Sequence, residues 1–178
     1  MAPTSRIVLR APRPRDQREF VGAARASRAL HGRWVRAPDT PQAFRAYMRH
    51  MAAPGSCAFL VCRRDSGAIV GVVNVTNVVM GLFRSAYLGY YAFAGQDRRG
   101  FMHEGLQQVV RLAFTKLELH RLEANIQPEN LPSIALVRAC GFEKEGYSPR
   151  YLKIRGRWRD HERWAMTVED WQALERKQ

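Results

Sequence analysis

Two short stretches combine residue types that chemistry can use. In the first, Gly95-Gln96-Asp97-Arg98-Arg99-Gly100 opens onto the run FMHEGLQQVVRLAFTKL. Such a turn offers free backbone N–H groups at a helix N-terminus, and Arg98 and Arg99 add positive charge beside them. Phosphate or pyrophosphate is the ligand chemistry this suits. In the second stretch, Asn130-x-x-Ser133 stands ahead of Gly141-Phe142. A helix with Asn130 as N-cap, Pro132 in its first turn and Gly141 as left-handed C-cap accounts for most of this pattern. It does not require Asn and Ser to stand together at the mouth of one crevice, at the carboxyl ends of two parallel strands, where open sheets bind ligands. Proton-transfer groups are more scattered. Glu104 lies one turn after Gly100 and is equally suited to compensating the helix dipole. Glu145, Asp160, His161 and Glu162 come later; His161 has the right intrinsic pKa for proton transfer, although a strand histidine beside Asp160 also serves structural roles. No His/Cys group has ligand spacing, so no metal is expected.

The elements around these stretches predict their placement. Residues 87 to 94 (YLGYYAFA) are apolar and aromatic, a strand; after the turn, Met102, Leu106, Val110, Ala113 and Leu117 recur at helical spacing; HRLEANIQ is a second strand. Strand, crossover helix and strand make a right-handed βαβ unit. Ahead of it, Ser5–Arg10 predicts a first strand and Asp16 onward a helix with Phe20, Val21 and Ala24 inward. LHGRWVRAPDT reads as an irregular connection outside the core. Asp39 or Thr40 caps a second helix with Phe44, Tyr47, Met48 and Met51 on one face. Residues 57–62 and 68–79 flank the turn Asp65-Ser66-Gly67, and with the strand at 87–94 they make a three-stranded antiparallel meander. Residues 143–154 and 157–168 flank Arg155-Gly156 as a last hairpin, and a terminal helix, WQALERKQ, follows Val168–Asp170. No repeat or linker interrupts the order, so 178 residues read as one α+β domain.

Composition narrows the partners. The net charge is +13, and of the 29 basic residues only four are Lys. A positive surface attracts anions: nucleotide phosphates, RNA or acidic protein. Three Cys do not suggest a disulfide framework. No apolar run approaches the ~20 residues needed to cross a bilayer, and the first residues lack a signal-peptide core. A soluble protein of the reducing cytoplasm is expected, with monomer and homodimer both open.

Taken together, RRGFMHEGL, NLPSIALVRACGFEKEGY and the order of elements resemble the GNAT superfamily of acetyltransferases. The ending YLKIRGRWRDHERWAM is similar to its RimJ/RimL branch, which acetylates protein N-termini, notably of ribosomal proteins, and also holds small-amine acetylators. The resemblance spans essentially the whole chain. It implies a mixed, mostly antiparallel sheet with a central parallel βαβ unit for acetyl-CoA, flanked by helices. Against the family's loop, Gln/Arg-x-x-Gly-x-Gly/Ala, Asp97 and Met102 are departures, so the pyrophosphate site rests on the backbone N–H groups of Arg98, Arg99, Gly100, Phe101 and Met102. The resemblance further implies that Tyr91, Ala92 and Phe93 pair with the pantetheine arm, with an N–H near Ala92 or Phe93 polarising the thioester. Asn130 and Ser133 would line the opposite wall. Ser133 is the candidate to protonate the leaving thiolate, because the Tyr that many members carry a few residues on is missing from Ile134–Arg138. His161 and Glu104 are the candidate bases. The acceptor implied is a protein α-amine, which at a pKa of ~7.7–8.0 is about a tenth neutral near pH 7. Two alternatives stand beside it: a polyamine or aminoglycoside-like acceptor, and a basic RNA- or ribosome-binding protein without activity.

Overall fold

The computed structural model describes residues 5–177. Seven strands form one sheet in the order β1-β2-β3-β4-β5-β7-β6. They are β1 (Ile7–Arg10), β2 (Cys57–Arg63), β3 (Ile69–Val79), β4 (Ser85–Ala92), β5 (Arg121–Ile126), β6 (Glu143–Ile154) and β7 (Arg157–Thr167). Every neighbouring pair is antiparallel except β4 and β5. The helices are α1 (Gln17–Ala26), α2 (Arg28–His31), α3 (Pro41–Met51), α4 (Phe101–Thr115), α5 (Leu131–Ala139) and α6 (Val168–Glu175). The antiparallel series ahead of the parallel pair has four strands rather than three, because β1 pairs with β2. Of the predicted terminal helix, Gln178 lies outside the described residues, as do the first four residues of the chain. No helix among the described residues is long and apolar enough to cross a membrane.

Alternation along the strands splits the interior into two cores. On one face, Leu122, Ala124 and Ile126 of β5 and Trp164 and Met166 of β7 pack with Leu106, Val109, Val110 and Ala113 of α4 and Val137 of α5. On the other, Leu60, Cys62, Val72 and Phe93 pack with Phe20 and Ala24 of α1 and Phe44 of α3. Helix α3 starts where the sequence predicts, with Thr40 Oγ1 accepting the Ala43 N–H and Pro41 in its first turn. Cys62 and Cys140 are buried free thiols, and Cys57 is half-buried. Burial pushes all three thiol pKa values up, Cys140 to about 12.

Two features of this packing set the site. Helix α4 lies very close to the sheet: a Cβ at Gly105 would fall 2.7 Å from Val61, and one at Gly71 would fall 2.5 Å from Met102 Sδ. Met102, the departure from the loop pattern, is thus a core residue laid over a glycine. The second feature is the stretch 30–40, expected to stay out of the core. His31 and Ala37 are buried instead. His31 Nε2 donates to the Ala92 carbonyl at 2.8 Å, and Ser27 Oγ accepts the Ala94 N–H at 2.8 Å. The turn after α1 thereby holds the outgoing end of β4. That anchor is tertiary, with His31 and Ala92 61 positions apart in the chain, and no local pattern announces it.

Candidate active site

Strands β4 and β5 pair in parallel from Ser85↔Arg121 only as far as Leu88↔Ala124. Beyond that, β4 continues along β3 to Ala92 and β5 continues along β7 to Ile126. A crevice opens between them. In an antiparallel pair, successive residues direct their backbone groups to opposite sides. Phe93 donates its N–H to Val70 at 2.7 Å, so Phe93 and Tyr91 serve β3. Ala92 and Tyr90 therefore face the opening. The expectation for 91–93 needs this correction: of those three backbone segments, only that of Ala92 turns toward the crevice. Phe93 is 1% exposed and belongs to the second core.

At the upper end of the crevice, Gly100 caps α4 in the left-handed region, with φ 80°, and Arg98 also has positive φ, 57°. The N–H groups of residues 98 to 103 meet no acceptor among the described residues. Asp97 accepts the Gly95 N–H at 3.1 Å, so the acid that departs from the pattern folds the turn rather than facing a ligand. The guanidiniums of Arg6, Arg63 and Arg99 lie 4.9, 5.5 and 5.4 Å from the Phe101 ring centroid. This is a helix N-terminus ringed by cations, suited to a pyrophosphate. Gln96 Oε1 is buried there without a partner among the described residues, an acceptor left for a ligand donor.

The other wall is α5. Asn130 Oδ1 caps it by accepting the Ser133 N–H at 3.4 Å. Ser133 Oγ lies 2.8 Å from Tyr90 Oη, which also donates to the Ser133 carbonyl at 3.1 Å. Tyr90 supplies, from β4, a phenol beside the serine of a helix that lacks its own tyrosine. Burial raises its pKa, so it stays a neutral donor and acceptor. Sequence reasoning missed Tyr90 because only the fold brings residues 43 apart into contact; the run YLGYY is the one signal that could have raised it.

Both candidate bases are engaged by other parts of the chain. Glu104 accepts from Arg6 N at 2.9 Å, Arg6 Nε at 2.5 Å and Ser5 Oγ at 3.2 Å. Burial would raise its pKa, but these donors outweigh it and hold the carboxyl below its ordinary range. It clamps α4 to the approach of β1, the edge strand, and is not placed to take a proton at the crevice. His161 is 2% exposed on β7. Its Nδ1 donates to the Arg159 carbonyl at 2.9 Å, and its ring meets Tyr151 edge-on. Burial lowers its pKa from 6.5 against the opposing pull of Arg159 and Asp160, so near pH 7 the ring is neutral with Nε2 carrying the lone pair.

Four carboxylates of the last strands are occupied. Glu123 meets Arg121 at 2.8 Å, Arg121 also grips Glu145, Lys144 reaches Glu162 at 2.5 Å, and Asp160 takes the Tyr147 hydroxyl and the Arg150 N–H. Tyr147 and Trp158 are exposed on the hairpin, whereas Trp164 is core. No group of acids, His or Cys suited to a metal occurs among the described residues.

The chain belongs to the acetyltransferase (GNAT) domain family, whose model matches residues 6–143. It is 43% identical over 107 residues to the [ribosomal protein uS5]-alanine N-acetyltransferase of Escherichia coli (strain K12), covering 60% of this chain and 55% of that one. The chain thus matches about half the length of that curated relative. It is 24% identical over 161 residues to the spermidine N(1)-acetyltransferase of Vibrio cholerae, covering 89% of this chain and 91% of that one. Among solved structures, Mycobacterium smegmatis RimJ in complex with CoA-disulfide superposes with a TM-score of 0.85 at 28% identity, covering 92% of this chain and 83% of that one. The fold is the GNAT fold, and acetyl-CoA is the donor that GNAT acetyltransferases use.

Proposed function

We propose that the chain transfers acetyl from acetyl-CoA to the α-amine of a protein or peptide. The observation that carries this is the crevice opened past Leu88 and Ala124, with unpaired N–H groups on β4 and the Tyr90–Ser133 pair opposite. The residues fit the donor. The N–H groups of residues 98 to 103, with Arg98 and Arg99, would hold its pyrophosphate, and the backbones of Ala92 and Tyr90 its pantetheine arm. When bound, acetyl-CoA supplies the acetyl group as an activated thioester. The Tyr90 and Ala92 N–H groups are the donors available to a carbonyl oxygen in the gap. Ser133, oriented by Tyr90, is the hydroxyl placed to give a proton to a thiolate there. His161, neutral and with Nε2 as acceptor, is the group on the β5–β7 side suited to receive the amine's proton through water.

An α-amine is favoured over a polyamine by charge. A polycation needs unpaired carboxylates, and Glu123, Glu145, Asp160 and Glu162 are already matched to Arg121, Lys144, Tyr147 and Arg150, which leaves Glu143 at the start of β6. The E. coli relative, named for a protein N-terminal alanine, points the same way. The test is thiol release from acetyl-CoA with three acceptors: a peptide with a free N-terminal alanine, the same peptide N-acetylated, and spermidine. Turnover of the first alone is expected. A higher kcat/KM for spermidine would overturn the α-amine assignment, and no turnover of any amine would overturn the activity.

A further inference from the structure

On the sheet face opposite α4 and α5, one row crosses the crevice: Asn74 on β3, Gly89 on β4 and Asn125 on β5. Asn74 pairs with Gly89 in the β3–β4 register. Gly89 and Asn125 stand one step beyond Leu88↔Ala124, where β4 and β5 begin to part. Gly89 is exposed although it lies inside the central strand, and a Cβ built on it would meet nothing within 4 Å. A glycine inside a strand gives up packing and costs stability, and it marks places where a ligand approaches the backbone. Here it forms the floor of an open hollow at the split.

The sides of the hollow carry unmet hydrogen-bonding capacity. Asn125 Oδ1 is buried without a partner among the described residues, and so is Tyr91 Oη. Tyr91 lies two residues beyond Gly89 on the same face of β4 and packs edge-on against His31. Asn74 is different: its Oδ1 is occupied by the Tyr47 hydroxyl at 2.7 Å. A buried polar atom with no partner costs about 1–3 kcal/mol, and two of them flank the one residue of β4 that has no side chain. Ligand binding would satisfy both.

We infer that Asn125 and Tyr91 seat the first residue of the acceptor over Gly89. Asn125 Oδ1 accepts an N–H of the α-amine, leaving the nitrogen lone pair directed into the crevice. Tyr91 Oη donates to the first peptide carbonyl. The ligand class is therefore an aminoacyl head, an amine followed by a carbonyl, with a small first side chain to clear the β4 backbone. The seat is distinct from the donor wall, because Asn125 and Tyr91 point away from Ser133. The inference rests on the acetyl-transfer proposal and makes a separate claim about which acceptor atoms are read.

The experiment compares wild type with Asn125→Leu, Tyr91→Phe and Gly89→Val, using alanyl peptide, alaninamide and a simple alkylamine, with coenzyme A affinity measured directly. Asn125→Leu is expected to raise the KM of all three amines roughly tenfold, the loss of about one hydrogen bond. Tyr91→Phe should raise KM about fivefold for the two carbonyl-bearing acceptors and leave the alkylamine unchanged. Gly89→Val should raise KM for the alanyl peptide. Coenzyme A affinity should be unchanged in Asn125→Leu and Tyr91→Phe, and the unfolding temperature of Asn125→Leu should be equal to or above that of wild type, because the partnerless polar atom is gone. Unaltered acceptor KM values in folded, coenzyme A-binding variants would overturn the seat while leaving acetyl transfer intact. A Tyr91→Phe effect of equal size on the alkylamine would overturn the carbonyl contact. Wild type inactive on every amine would instead fail the proposal beneath it.

Discussion

The two sides of the crevice are built from different material. The proposed donor side uses main chain: a left-handed Gly100, the N–H groups of residues 98 to 103 that meet no acceptor among the described residues, and a strand whose backbone has lost its neighbour. The proposed acceptor side uses side chains projecting from β4, β5 and β7: Tyr91, Asn125 and His161, above a ring of mutually satisfied charges. Backbone recognition tolerates sequence change, which is why Asp97 and Met102 can depart from the loop pattern while the turn keeps its shape. Side-chain recognition does not. The family match ends at Glu143, where the last hairpin begins. That hairpin is the part of the acceptor side on which the family model is silent.

If the division holds, substitutions should separate into those that move the chemistry, the donor and the fold. Ser133→Ala should show the largest effect, a fall in kcat of about a hundredfold with little change in coenzyme A affinity; Tyr90→Phe, which keeps the ring and removes the hydroxyl, should lose about tenfold. Single-turnover measurements distinguish the two from slow product release. Equal kcat in Ser133→Ala would break the assignment of the donor wall. Gly100→Ala forces an L-residue into φ 80° and places its Cβ 3.0 Å from Arg6 Nη2. It should destabilise by about 1–2 kcal/mol and weaken coenzyme A binding, read by calorimetry, while the intrinsic preference among acceptors stays the same.

The smallest expected effect is a pH dependence of stability. Burial holds the pKa values of both His31 and His161 below 6.5, with the carbonyls of Ala92 and Arg159 opposing it. The unfolded chain then binds more protons than the folded one just below pH 6.5, so stability is fully present above that value and declines as pH falls through the depressed folded values. Denaturant midpoints at pH 7.5 and pH 5.5 should differ in that direction, and His31→Gln should reduce the difference. A midpoint that rises on acidification to pH 5.5 would contradict the placement of both imidazoles.

Much of this was legible before any coordinates. Apolar periodicity placed α4, β5 and the last hairpin; Gly95–Gly100 and Asn130-x-x-Ser133 placed the two walls, because turns and caps are local and their residue types follow from local backbone geometry. The βαβ unit followed from connection rules. What stayed hidden were contacts between residues distant along the chain. Tyr90 reaching Ser133, His31 holding Ala92, and Glu104 spent on Arg6 are each a matter of which faces meet.

By itself, then, the sequence determined a mixed sheet, its parallel unit and a turn suited to an anion, since these depend on periodicity and backbone preference over a few residues. Only the tertiary structure decided which backbone groups in 90–93 remain free, since that depends on where β5 leaves β4. It also decided that Glu104 is a clamp, and that two buried polar atoms without partners among the described residues flank a bare glycine at the split. Burial and partnership belong to the packed molecule, and at this site they separate the residues that hold the protein together from those available to a substrate.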